Sequence, residues 1–122
     1  MLAALVGAKA SDASTRTAES LLIVCSNEND LGWVAGCEGY IFGSVETWIE
    51  ASGAASVLWL WSSGEKERVR KTVVGFCIPT RMSVKQLTQI VVKYIKANPE
   101  EWHEPASYMV REALSNTFPC ED

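Results

Sequence analysis

A single histidine, His103, stands in the 122 residues, so any Cys–His or Ser–His mechanism would have to run through that one ring. No two of the four cysteines form a CxxC pair, and with one histidine a zinc site would need scattered thiolates. HExxH, GxSxG and a phosphate-cradling glycine loop are all missing. Basic charge is also short: eleven Lys and Arg against fifteen Asp and Glu leave a net charge of −4. Nucleic-acid binders present a basic face, and the one basic cluster here, EKERVRK, is interleaved with acids. No apolar run reaches the ~18 residues of a membrane helix. Together these absences argue against catalysis, a metal or cofactor, a nucleic-acid partner and membrane insertion.

What is present suits a single folded domain. The chain is 48% hydrophobic and 21% charged, enough apolar material for a core and too little charge for a disordered tail. The opening MLAALVGAKA is apolar and ends in Ala8-Lys9-Ala10, the small-x-small pattern of a signal-peptidase site, although no basic residues precede it. Residues 1–13 are read as a signal-peptide remnant or disordered tail, the alternative being an apolar first helix. Residues 14–122 form the domain.

Cys25, Cys37, Cys77 and Cys120 are even in number and allow three pairings. The helix pattern chooses among them. In MSVKQLTQIVVKYIKANP, Ser83 and Gln86 form a capping box, and Val84, Leu87, Ile90, Val91, Tyr94 and Ile95 recur at helical spacing before Pro99. A second helix is expected from near Glu104, with Pro105 at its first position and an apolar stripe of Ala106, Met109, Val110, Ala113 and Leu114. A short linker makes the two antiparallel, so the entry of the first lies beside the exit of the second. Cys77 precedes one and Cys120 follows the other, which pairs them and leaves Cys25 with Cys37. The competing reading is four buried free thiols in a cytosolic domain.

Toward the N-terminus, TRTAESLLIVC reads as a short helix ending near Cys25, and Asp30 as a cap for the next. That longer helix runs from Leu31 to about Ala51 and is expected to stop at Ser52-Gly53. Gly36, Gly39 and Gly43 share one stripe of it, which implies close approach by another helix, with a ligand in the same groove as the alternative. Residues 57–74 permit a small β-hairpin around SSGEKER, or a continued helix followed by another. In either case Trp59 and Trp61 are core or an exposed patch. The fold class is all-α, a compact bundle of about four to five helices stapled by two disulfides.

The segments CEGYIFG, FCIP, VKQLTQIVVKYIKANPE, HEPA and the closing FPC, in that order, cover about residues 20 to 120. This ordered set resembles the Rap/Tai-type immunity proteins, which protect bacteria against amidase effectors of the type VI secretion system. The resemblance implies a small helical periplasmic protein, commonly a homodimer, that binds a peptidoglycan-cleaving amidase and plugs its catalytic cleft. The stretch Val57–Thr72 is longer than the family pattern. An inhibitor of this kind needs a rigid scaffold and a projecting element. Two loops are the candidates: the tip with Ser63, Glu65 and Lys66, and the turn with Glu100, Glu101, Trp102 and His103. The alternative reading is a periplasmic, disulfide-bonded helical stress or chaperone-type protein.

Overall fold

The computed structural model describes residues 16–62 and 75–120, and of residues 52–62 the backbone alone. Four α-helices make up this part: α1 (Ala18–Cys25), α2 (Leu31–Ser62), α3 (Val84–Ala97) and α4 (Ala106–Thr117), with a 3-10 turn at Pro99–Glu101.

Each helix start has a local cause. Thr17 opens α1, its hydroxyl accepting from the Ser20 amide at 3.2 Å. Asp30 opens α2, its carboxylate accepting from the amides of Gly32 at 2.9 Å and Trp33 at 3.2 Å. Ser83 opens α3 with both halves of a capping box: its hydroxyl accepts from the Gln86 amide at 3.1 Å, and its own amide donates to the Gln86 side chain at 3.0 Å. Pro105 is the N-cap of α4, so the helix begins at Ala106, one residue later than a proline at its first position would put it.

The core lies where α1, α3 and α4 close against the first half of α2. Leu21, Ile41, Val91, Ile95, Met109, Val110 and Leu114 are its largest fully buried side chains. All five residues of the α4 stripe are buried, and of the α3 stripe Leu87, Val91 and Ile95 are buried while Ile90 and Tyr94 pack at the edge. Helical spacing alone carried that assignment.

Both disulfides join the cysteines in the expected pairs, Cys25–Cys37 and Cys77–Cys120. The first ties the end of α1 to the first half of α2. At the second, the Cys77 amide donates to the Phe118 carbonyl at 2.9 Å, so the entry to α3 and the exit from α4 are fastened covalently and by a backbone bond. Phe76, at 3% exposure, seals the same end.

The expected break at Ser52-Gly53 does not occur. Helix α2 continues through both residues to Ser62, a length of about 48 Å. A glycine in a helix interior costs only about 1 kcal/mol against alanine, and no proline follows to remove a backbone donor. Uninterrupted hydrogen bonding on both sides outweighs that penalty. The first arm of the expected hairpin, from Val57, is therefore helix, and among the described residues there is no strand beyond an isolated bridge between Thr17 and Pro105. The rest of that hairpin lies outside the described residues.

Candidate functional site

The turn between α3 and α4 is built tightly. Asn98 ends α3, its side-chain amide donating to the Tyr94 carbonyl at 2.8 Å. Pro99 then starts the 3-10 turn, in which the Glu101 amide donates to the Asn98 carbonyl at 3.0 Å. Trp102 is half-buried, and its indole N–H donates at 2.6 Å to the Ile95 carbonyl, which also accepts from the Asn98 amide at 3.1 Å. The start of α1 is stitched to the same turn: Glu19 and Ala18 donate their amides to the carbonyls of Trp102 and Glu104, and Ala106 donates to Arg16. The loop is thus a fixed shelf. On it Glu100 and His103 face solvent, Glu101 is partly covered, and Trp102 serves as the anchor.

Charge on this shelf is one-sided. Burial, with Glu101 and Glu112 nearby, pushes the Tyr94 phenol above the ordinary tyrosine range. For Tyr108 the first cause is the Glu112 carboxylate, followed by burial and by Glu101 and Glu104. The His103 ring lies 3.4 Å from Glu104 and is 77% exposed. All four cysteines are in disulfides, so no thiolate is available to it, and a disulfide sulfur is no nucleophile. Of the other expected contact residues, Ser63, Glu65 and Lys66 lie outside the described residues.

The outer surface of α2 carries features that charge patterns did not single out. Leu31, Phe42 and Ile49 are 86%, 42% and 46% exposed, and at 100° per residue they fall on one narrow stripe. On a different face of α2 runs an open, mostly apolar groove with Tyr40, Trp48 and Ser107 among its walls. The Trp48 indole donates to the Ser107 carbonyl at 3.2 Å, and Arg111 stacks over its ring at 5.4 Å. Gly39 and Gly43 line this groove. Among the described residues a Cβ built on either meets nothing within 4 Å, so the expected close approach of a second helix is absent at these two positions, while at Gly36 α1 comes into ordinary van der Waals contact through Val24 at 3.9 Å. The glycines leave an open channel, and their spacing was the signal in the sequence that could have marked it.

Comparison with curated proteins and with solved structures gives no match. The sequence profile of the family described as Rap1a immunity proteins matches residues 17–120. That span runs from the cap of α1 to the second cysteine of the Cys77–Cys120 bridge, and so takes in all four helices, both disulfides and the acidic shelf. The chain therefore belongs to the family of Rap1a immunity proteins.

Proposed function

We propose that this protein is a periplasmic immunity protein that binds a peptidoglycan amidase effector of the type VI secretion system and occludes its active-site cleft, protecting the producing cell and its sisters. The family match over residues 17–120 carries the proposal. Two disulfides are compatible with a compartment outside the reducing cytoplasm. In this reading residues 1–13 are what remains of the export signal and residues 14–122 are one immunity domain. The protein acts as an inhibitor and not as an enzyme, without cofactor or metal, and without contact to nucleic acid or insertion into the membrane.

Effector contact is assigned to Glu100, Glu101, Trp102 and His103, together with Ser63, Glu65 and Lys66. The shelf supports this because it is rigid, so little conformational entropy is lost on docking. Its acidic groups can compete for the polar groups of an amidase groove. The protein works as a homodimer in this proposal, and the Leu31, Phe42 and Ile49 stripe is an apolar surface that a second copy can cover.

Co-expression tests the reading. Cells that make the neighbouring amidase in the periplasm should lyse without this protein and survive with it. Equal lysis in both cases refutes the proposal, and client binding under acid with no tight partner would point to the chaperone-type alternative.

A further inference from the structure

A second cleft, of about 540 Å³, lies on the other side of the molecule from the apolar groove, between the α1–α2 turn and α3. Its walls carry opposite charges. Glu28, in the turn, and Glu38, on α2, stand on one side; Lys85 and Lys96, on α3, stand on the other, with the Gln89 amide between them. Among the described residues the ion pairs within 4 Å are His103–Glu104 and Arg111–Glu112, so these four charges share one cavity without closing on each other. The Cys25–Cys37 disulfide borders the cleft and ties down the turn that holds Glu28. Lys85 and Lys96 are eleven residues apart on one helix, about 16 Å, the span of about four or five extended residues. The volume is within the range of small-molecule sites.

We propose that this cleft binds a short zwitterionic peptide, its carboxylates against Lys85 and Lys96 and its ammonium against Glu28 and Glu38. A ligand with one sign of charge would be opposed by one wall; a peptide with both signs satisfies the two walls together. A protein surface is the poorer fit, because hot spots favour buried aromatics and arginine, and this cleft has neither. The choice of peptide rests on the proposed function: stem peptides released when an amidase cuts peptidoglycan carry free carboxylates and a free amine. The protein would then hold the product of the enzyme it restrains, at a site apart from the acidic shelf.

The test uses the intact protein and a synthetic stem tetrapeptide with free termini, titrated calorimetrically at low and high ionic strength. One saturable site is expected, weakened by salt. Capping the peptide by N-acetylation and C-amidation should weaken it about tenfold or more, as should Lys85→Gln with Lys96→Gln, or Glu28→Gln with Glu38→Gln, since each removes charge-assisted contacts. Circular dichroism checks that both variants stay folded. No saturable binding at millimolar peptide, or binding indifferent to capping and to both variants, overturns the proposal. Protection against the amidase is scored in parallel: both variants should protect as the parent does. Variants that lose protection while still binding peptide like the parent would make the cleft an effector contact and sink this assignment. A parent that binds peptide but never protects would instead refute the proposed function and leave the cleft standing.

Discussion

Glycine has opposite meanings at two places in this chain. Gly75 has φ +78°, in the left-handed region, and a Cβ there would sit 2.7 Å from an Arg111 guanidinium nitrogen and 3.2 Å from the Ser115 hydroxyl. Gly75→Ala is therefore expected to lower stability by about 2 kcal/mol, from backbone strain and the displacement of Arg111 from Trp48. Gly39→Ala meets open space inside a helix and should be neutral or stabilising by up to about 1 kcal/mol. Denaturant melts of the two variants check the contrast, and equal effects would contradict it. The sequence drew attention to the glycines of α2 by their spacing and not to Gly75, whose need for glycine arises from its left-handed backbone and from a side chain far along the chain.

Tyrosine ionisation is the other effect argued at single residues. Because the folded chain holds the Tyr94 and Tyr108 protons more tightly than the unfolded chain, their contribution is fully present below the ordinary tyrosine value of about 10 and is lost as pH rises through the higher folded values. Stability should thus fall in strongly alkaline solution. Glu112→Gln removes the largest influence on Tyr108, and ultraviolet titration of the phenols should then show ionisation beginning at lower pH. An unmoved titration curve would show that the carboxylate does not act on the phenol.

At the scale of elements, the α3–α4 hairpin was legible because its signals are local or follow from short loops. Ser83 and Gln86 are three residues apart, the apolar stripes repeat every three or four, and a short turn leaves little choice but antiparallel packing. From that packing the Cys77–Cys120 pair follows. The two bridges close loops of different length, 43 and 12 residues of separation, so the chain-entropy argument ranks them. Replacing Cys77 and Cys120 together by serine should cost about 4 kcal/mol, and replacing Cys25 and Cys37 about 3 kcal/mol. Melts of both double variants under oxidising conditions measure this, and a bridge whose loss leaves the midpoint unchanged would count against it. Helix α2 was less legible. Ser52-Gly53 resembles a helix stop, but a stop signal only biases an equilibrium, and here the helix on each side prevails.

For the molecule as a whole, the length of α2 decides the arrangement. Its first half is the wall against which the other three helices pack, through Cys37, Ile41, Val45 and Trp48, while its outer stripe has no partner among the described residues. If a second copy covers that stripe, Phe42→Asp should turn a dimer into a monomer in sedimentation experiments without loss of helical content, because Phe42 is 42% exposed and belongs to no part of the core. A dimer indifferent to the substitution would place the interface elsewhere.

The sequence by itself determined the all-α class, the caps of α2 and α3, the buried stripe of α4 and both disulfide pairs. These depend on contacts a few residues long or on the geometry of one tight hairpin. The tertiary structure alone decided that Trp102 is an anchor, that the α2 glycines border an open groove, and that Glu28 and Glu38 face Lys85 and Lys96. Each of these sets side chains from different helices against one another. Their spacing comes from how the helices pack, and no periodicity along one chain encodes it.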